Sequence, residues 1–221
     1  MNKEAIEQVR ETYSRTARRY EMILRIYRVL GVDLKKWREE AFGRLPPLAG
    51  PRILDLAVGT GANLQYLVDK YPDYTEIVGI DYTPEMLMRA KKRIVENKWR
   101  NISVRLMDAR EMSEHLQGHF DLIISTYSLS IIPDAVLVLE QIQRMLDQQG
   151  YLLLLDCQKF KGLLRILNPM AILLSTRLGG SDVTYSVRVS DIAAKIFRPL
   201  SRRLMYSGMF YEDIYRGARV S

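Results

Sequence analysis

Three aspartates follow short apolar runs at a spacing typical of a nucleoside-binding site. Asp55 lies in "RILDLAV", directly before a glycine loop that contains Gly59 and Gly61. Asp81 ends "EIVGID" and Asp108 ends "ISVRLMD". One such acid alone is as compatible with a solvated strand end or a helix N-cap as with a ligand contact. Three acids at the ends of three successive predicted strands favour a shared ligand.

Each acid predicts a different contact with that ligand. The carboxylate of Asp55 would repel a pyrophosphate and attract an ammonium group. Asp81 is placed to accept hydrogen bonds from both ribose hydroxyls, and Asp108, followed by Ala109, from an adenine amino group. The dinucleotide fingerprint needs a glycine where Ala57 stands. The predicted ligand is therefore a nucleoside with a cationic tail.

The elements that position these acids alternate along the chain. From residue 52 onward, apolar runs of strand length are separated by helical patterns at 62–71, 84–97 and 134–146. The tail 202–218 contains two strand-like runs joined at Ser207-Gly208, which predicts a hairpin. The pattern predicts an α/β fold, Rossmann-like and doubly wound, with a mostly parallel seven-stranded sheet, a C-terminal antiparallel hairpin and N-terminal capping helices.

The predicted organisation has four parts. They are an N-terminal helical cap (1–45), a Rossmann-like core that binds the ligand (46–160), a helical substrate-side insertion (161–199) and a C-terminal hairpin that completes the sheet (200–221). Pro84 is predicted to begin its helix, and Gly150 to follow the last helix of the core as a C-cap.

Composition excludes several classes of site. The single cysteine excludes an internal disulfide framework, and the two histidines leave no zinc constellation, so we expect no metal. No apolar run approaches the about 20 residues that span a bilayer, and arginines interrupt the first twenty residues, where a signal peptide would lie. We expect a cytoplasmic protein.

The net charge of +7 is unevenly distributed. Residues 51–156 hold 11 Lys and Arg against 15 Asp and Glu, whereas the two flanks together hold 22 against 11. Basic flanks favour anionic partners such as a lipid surface or nucleic acid. The alternative is that these cations are simply solvated on helix faces.

The motifs resemble those of the class I S-adenosylmethionine-dependent methyltransferases over nearly the whole chain. "ILDLAVGTGANL" is similar to their first motif, "VGIDYTPEML" to the second-strand motif, "MDARE" to the adenine-contacting motif, and "FDLIISTYSLSIIPD" and "LDQQGYLLLLD" to those of the fourth and fifth strands. The front segment "YSRTARRYEMI" is similar to that of the ubiquinone and menaquinone C-methyltransferases and of the bacterial phosphatidylethanolamine N-methyltransferases. The cofactor implied is S-adenosyl-L-methionine.

The resemblance also implies which residues bind that cofactor. The methionine end would be lined by the first-motif residues, the ribose held by Asp81, the adenine contacted after the third strand, and the adenosine flanked and covered by aromatic and apolar side chains. The first-motif residues are Asp55, Ala57, Gly59 and Gly61, and the adenine contacts are Asp108 and Ala109. Tyr82 and Met86 would flank the adenosine on the second-strand side, and Tyr20 and Tyr13 would cover the cofactor. Ser125 on the fourth strand would be a further cofactor contact.

The acceptor side is less strongly specified. Tyr127 and Ser125 lie where the acceptor usually enters such enzymes and are the catalytic candidates, with Asp134 and His119 as further ones; each is also compatible with a structural role. A methyl on a sulfonium needs alignment more than a general base.

The apolar segment 161–180 and the basic flanks favour a lipid or amphiphilic substrate and peripheral contact with an anionic membrane, on its inner face. We expect phosphatidylethanolamine N-methylation, with a quinone or other small-molecule C- or O-methyltransferase as the alternative. A nucleic-acid methyltransferase is less compatible, because "STYS" stands where the "[DN]-P-P-[YF]" motif would be, so we expect no nucleic-acid partner. The motifs are also compatible with a non-catalytic protein that binds the cofactor, and with a dehydrogenase if Asp55 tolerates a pyrophosphate.

Overall fold

The computed structural model describes residues 32–159 and 188–217, together with positions 166 and 168. Tyr13 and Tyr20, predicted to cover the cofactor, lie outside the described residues, as does almost all of the apolar segment 161–180. The described elements therefore begin with helix α1 (Leu34–Arg44).

The described residues form a seven-stranded sheet. Its strands are β1 (Arg52–Leu56), β2 (Glu76–Asp81), β3 (Ile102–Leu106), β4 (Phe120–Thr126), β5 (Leu146–Cys157), β6 (Arg198–Met205) and β7 (Phe210–Arg216). Their order is β3-β2-β1-β4-β5-β7-β6. Strands β1 to β5 pair in parallel, whereas β7 is antiparallel to both β5 and β6. The predicted fold class is thereby confirmed.

Helices cover both faces of the sheet. After α1 they are α2 (Leu64–Lys70), α3 (Pro84–Glu96), α4 (Met112–His115), α5 (Ala135–Met145) and α6 (Val189–Ile196). Apolar residues of α1, α2 and α3 belong to the buried cluster on one face, and those of α4, α5 and α6 to the cluster on the other. The arrangement is doubly wound, because a sheet of buried parallel strands needs cover on both sides.

The strand order reverses between β1 and β4, and this reversal positions the site. Ligands of open α/β sheets bind beyond the carboxyl ends of the strands at such a switch point. Asp55 lies in β1, Asp81 ends β2, Thr126 ends β4, and Asp156 is the penultimate residue of β5. The carboxyl edge of the sheet therefore carries a row of polar side chains.

Two predicted boundaries are confirmed and one is wrong. Pro84 begins α3, and Ser207-Gly208 lies in the turn between β6 and β7. Gly150 is not a C-cap, because α5 ends at Met145 and Gly150 lies inside β5. A Cβ on Gly150 would be 3.0 Å from the carbonyl oxygen of Phe120 in β4. Such a Cβ would also lie 2.9 Å from Leu146 Cδ1 and 3.0 Å from the Asp147 carbonyl oxygen, so crowding within β5 and against β4, rather than helix termination, accounts for this glycine.

Candidate functional site

The loop after β1 adopts left-handed backbone at three positions. The φ angle is 55° at Ala57, 55° at Gly59 and 76° at Gly61. Side chains other than glycine adopt this region at a cost of about 1–2 kcal/mol, so Ala57 holds a conformation that glycine would hold more easily. The Val58 N–H donates to the Ile80 carbonyl oxygen at 2.9 Å, which attaches the loop to β2.

The two glycines of the loop serve different purposes. A Cβ on Gly61 would lie 2.9 Å from Leu64 Cδ1 and 3.5 Å from Ala90, so Gly61 allows the loop to pack against α2 and α3. A Cβ on Gly59 would meet nothing nearer than the Ala57 carbonyl oxygen at 3.9 Å. The space beside Gly59 suits a ligand that approaches the backbone closely.

Asp55 is fully buried with half of its carboxylate unpaired. The Asn63 side-chain amide donates to Asp55 Oδ1 at 2.9 Å, and the Thr126 hydroxyl donates to the amide oxygen of Asn63 at 3.2 Å, which orients that amide. In the described part of the chain, nothing hydrogen-bonds to Asp55 Oδ2. Burial raises the pKa of Asp55 to about 7, against the opposing effects of the Asn63 hydrogen bond and the charge of Arg38. A buried carboxylate with a free oxygen fits an ammonium group.

Arg38 of α1 acts on the same position as Asp55, although no sequence motif identified it. Its guanidinium carbon lies 5.2 Å from the centre of the Tyr127 ring, and its charge lowers the pKa of Asp55. Its Nε is buried without a hydrogen-bond partner among the described residues. An acid and a cation that each retain an unpaired polar atom match a zwitterion such as the amino-acid end of a ligand. The helical pattern of 34–44 alone does not reveal which of its basic residues faces the sheet.

Asp81 joins the loop to the start of α3. The backbone N–H of Gly59 donates to Asp81 Oδ2 at 2.8 Å, and that of Thr83 donates to Oδ1 at 2.8 Å. Burial raises the pKa of Asp81, and the hydrogen bonds from Thr83 and Gly59 partly offset this. The Thr83 side chain and the Tyr82 N–H also hydrogen-bond to this carboxylate, so four donors from the loop and the start of α3 surround it. Tyr82 beside it is partly exposed and Met86 is buried at the N-terminal end of α3.

Asp108 caps a short 3₁₀ helix (Ala109–Glu111) and already has a cationic partner. Its Oδ1 accepts the backbone N–H of Arg110 at 2.9 Å, and its Oδ2 accepts from the Arg110 guanidinium at 2.7 Å. Burial would raise the pKa of Asp108, but the hydrogen bonds and charge of Arg110 outweigh burial and lower it. Arg110 also lies 3.6 Å from a carboxylate oxygen of Asp134. The adenine contact of Asp108 and Ala109 stays a prediction, with Arg110 holding the acid in place.

The two catalytic candidates, Ser125 in β4 and Tyr127 directly after it, form contacts within the protein. Ser125 is buried, and its Oγ lies 2.7 Å from Oγ of Ser128. The Tyr127 hydroxyl donates to the carbonyl oxygen of Leu34 at 3.2 Å, and its ring meets the Phe210 ring edge-on at 6.3 Å. Both residues lie at the carboxyl edge, as predicted, but Tyr127 anchors α1 to the sheet.

His119 lies at the opposite edge. It directly precedes the first residue of β4, is exposed, and its carbonyl oxygen accepts from the Arg52 guanidinium at 3.2 Å. We therefore no longer assign it to the site. No group of three or more His, Cys, Asp or Glu side chains among the described residues could hold a metal ion.

Comparison with known proteins identifies the class to which this site belongs. Residues 48–179, more than half of the chain, match the family described as "Methyltransferase domain". The chain belongs to this family.

Three named methyltransferases are similar to this chain in sequence. The demethylmenaquinone methyltransferase of Lactococcus lactis is 30% identical over 150 residues, which cover 68% of this chain and 58% of that protein. The ubiquinone/menaquinone biosynthesis C-methyltransferase UbiE of Citrifermentans bemidjiense is 26% identical over 151 residues, 68% of this chain and 63% of that protein. Aklanonic acid methyltransferase DauC of a Streptomyces species is 38% identical over 104 residues, 47% of each chain. The matches thus span roughly half to three fifths of the relatives' length.

Solved structures share the fold. A chain in the complex between the Haloferax volcanii Trm112 methyltransferase activator and a methyltransferase superposes with a TM-score of 0.69 at 16% identity, over 96% of this chain and 99% of that chain. A Haemonchus contortus phosphoethanolamine N-methyltransferase 2 in complex with S-adenosyl-L-methionine superposes with a TM-score of 0.61 at 19% identity, over 77% of this chain and 38% of that chain. None of the helices in the described ranges is long and apolar enough to cross a membrane.

Proposed function

We propose that this chain transfers a methyl group from S-adenosyl-L-methionine to a small lipophilic acceptor of the quinone class. The observation that carries the acceptor class is the alignment of 68% of the chain with proteins named for menaquinone and ubiquinone biosynthesis. Phosphatidylethanolamine, expected from the sequence, has weaker support, because the phosphoethanolamine N-methyltransferase is similar in fold alone.

The cofactor end of the proposed site is carried by Asp55. Its free, buried Oδ2 would accept the ammonium of the methionine tail, and Arg38 would hold the carboxylate of the same tail. Gly59 leaves room for the tail, and Asp81 would accept from the ribose hydroxyls, which would replace or share hydrogen bonds that its carboxylate now accepts. When bound, S-adenosyl-L-methionine supplies a methyl group on a sulfonium, which leaves readily.

The main contribution of the protein would then be to align the acceptor with the methyl group of the cofactor. Holding reactants in the correct geometry can account for roughly 7–11 kcal/mol of a barrier. Ser125 and Ser128 at the end of β4, with their hydroxyls in mutual contact, would line the acceptor side. Tyr127 would hold α1, and hence Arg38, against the sheet, which is a positioning role.

A methyl-transfer assay tests the proposal. Purified protein is incubated with S-adenosyl-L-methionine that carries a labelled methyl group. Each reaction also contains one acceptor: 1,4-dihydroxynaphthalene, phosphatidylethanolamine vesicles or transfer RNA. We expect label in the naphthalene product, and none when Asp81→Ala replaces the wild type. Label only in the lipid would replace our acceptor class with phospholipid, and label only in RNA would exclude both.

Membrane contact is a separate part of the proposal. The basic flanks support it, because cationic surfaces are attracted to anionic lipid. Co-sedimentation with anionic vesicles at low salt, and release at high salt, is the expected result. Equal recovery in the supernatant with anionic and with neutral vesicles would reject peripheral membrane binding.

A further inference from the structure

Two tyrosines on β7 share one face of the sheet but differ in their hydrogen bonding. Tyr211 and Tyr215 are both buried, at 1% exposure. The Tyr215 hydroxyl lies 2.7 Å from Asp213 Oδ2 and 3.0 Å from the carbonyl oxygen of Ser190. The Tyr211 hydroxyl has no hydrogen-bond partner in the part of the chain that the structure describes. Because an unpaired buried hydroxyl is destabilising, its retention suggests a use outside the fold itself.

The nearest acid does not take up the Tyr211 hydroxyl. Asp156 is directly opposite Tyr211 in the β5–β7 pairing, so their side chains lie on the same face. The Asp156 carboxylate accepts from the Ser130 N–H at 2.9 Å, the Ser130 hydroxyl at 2.7 Å and the Cys157 N–H at 2.8 Å. Two of these donors come from the loop after β4 and one from β5, and the O–H of Tyr211 is left without an acceptor among the described residues.

The hydroxyl keeps its proton at neutral pH. Burial, together with the charges of Asp156 and Asp213, raises the pKa of Tyr211 well above its usual range. Tyr211 is therefore a buried hydrogen-bond donor, and such a donor discriminates strongly between ligands with and without an acceptor.

Tyr211 lies on the acceptor half of the carboxyl edge. Only the pair Cys157 and Phe210 separates it from the end of the β5–β7 pairing. Asp55 and Asp81, the proposed cofactor contacts, lie beyond β4 on the other half. Tyr211 belongs to the same buried apolar cluster as Leu129 and Phe197. These residues are packed core, so an acceptor would reach the Tyr211 hydroxyl from the carboxyl edge, one residue pair away.

We propose that the Tyr211 hydroxyl binds an oxygen substituent of the aromatic acceptor, a ring hydroxyl or carbonyl oxygen, by donating a hydrogen bond to it. This inference rests on the proposed function and adds the residue that selects oxygenated rings. An acceptor of the same shape without the oxygen would leave the Tyr211 hydroxyl unpaired and would bind more weakly.

The test compares the two tyrosines by the same substitution. Tyr211→Phe and Tyr215→Phe are each saturated with S-adenosylhomocysteine and titrated calorimetrically with 1,4-dihydroxynaphthalene, and their thermal unfolding is recorded without ligand. We expect Tyr211→Phe to weaken binding of the probe about threefold to tenfold, with an unchanged or higher Tm. Tyr215→Phe should bind the probe as the wild type does and have a lower Tm, because it loses two contacts.

Three results would overturn the inference, and they separate it from the proposed function. Equal affinity of wild type and Tyr211→Phe for the probe would reject the role of Tyr211 and leave the quinone class standing. An equal loss of Tm in both variants would show that the Tyr211 hydroxyl has a partner inside the protein. If S-adenosylhomocysteine binds but the wild type does not bind the probe, the quinone acceptor class is rejected and the inference with it.

Discussion

Two buried aspartates at the same edge of the sheet, Asp55 of β1 and Asp156 of β5, have opposite environments. Both are at most 1% exposed. Three donors from Ser130 and Cys157 surround the carboxylate of Asp156, and a single amide, that of Asn63, contacts Asp55. Burial raises the pKa of both groups, that of Asp55 to about 7, and of the two only Asp55 has an oxygen without a partner among the described residues. The carboxylate of Asp156 is hydrogen-bonded within the fold, whereas Asp55 has a free oxygen that fits a cation.

The difference distinguishes a structural acid from a binding acid. A buried charge that is fully hydrogen-bonded stabilises the local structure that supplies its donors. A buried charge with a free oxygen is retained at a cost, and ligand binding can offset that cost. The same chemical group at the carboxyl edge of β1 and of β5, with β4 between them, therefore predicts opposite responses to one substitution.

The largest expected effect is on stability, from Asp156→Asn. The amide nitrogen cannot accept from the Ser130 and Cys157 donors, so we expect the free energy of unfolding to fall by about 2–4 kcal/mol. Urea unfolding measures this. Affinity for S-adenosylhomocysteine should change less than about twofold, since β5 is outside the cofactor half. An unchanged urea midpoint would remove the structural role of Asp156.

Next in size is the effect of Asp55→Asn on binding. The neutral amide keeps an acceptor for Asn63 but loses the charge for the ammonium, so affinity for S-adenosylhomocysteine should fall about 100-fold. Stability at neutral pH should be unchanged or higher, because the variant no longer carries a buried charge with one hydrogen bond. Calorimetric titration and urea unfolding give the two values. A greater loss of stability than in Asp156→Asn would invert the comparison.

The pH dependence of binding should be about tenfold. With a pKa of about 7, the Asp55 carboxyl is mostly protonated at pH 6 and ionised at pH 8, and only the ionised form attracts an ammonium. Affinity for S-adenosylhomocysteine should therefore rise about tenfold from pH 6 to pH 8, with release of a proton on binding.

The stability of the ligand-free protein should respond in the opposite direction. The raised pKa of the folded state means that the contribution of Asp55 is present at low pH and is lost as the pH rises from about 4 to about 7. Asp55→Asn should lack both dependences. If the variant keeps the tenfold change in affinity, another group is responsible for it.

The smallest effect is expected from Ala57→Gly. Glycine relieves the left-handed φ of 55°, so the free energy of unfolding should rise by about 0.5–1 kcal/mol after the entropy of the unfolded glycine is counted. The matched control is Ala90→Gly inside α3, which should lower stability by about 1 kcal/mol. Thermal unfolding distinguishes them. A loss of stability in Ala57→Gly would mean that the methyl group packs usefully in the loop.

The sequence predicted the cofactor half of the site because its determinants are local. A strand, a turn with glycines and an acid at a fixed spacing place Asp55, Gly59 and Asp81 before any long-range contact is known. Ala57 stands in this loop where a dinucleotide fingerprint has a glycine, but its left-handed backbone is seen only in the structure.

The acceptor half depends on contacts that spacing does not encode. Arg38 reaches the site from a helix before β1, and Tyr211 from a strand that inserts beside β5 after a long intervening segment. His119 lies at the opposite edge of the sheet from the site, because it precedes β4 in the chain. A residue that precedes a parallel strand lies at the opposite edge from one that follows it. Asp134 is at the correct edge, and its partner Arg110 is found only in three dimensions.

The most direct test of the proposed cofactor site is a calorimetric titration of the wild-type protein with S-adenosylhomocysteine and, separately, with NAD⁺ at pH 8. We expect one binding site for S-adenosylhomocysteine, with loss of affinity in both Asp55→Asn and Asp81→Ala, and no measurable heat with NAD⁺. Binding of NAD⁺ instead, or affinity for S-adenosylhomocysteine that neither substitution alters, would contradict the proposed site.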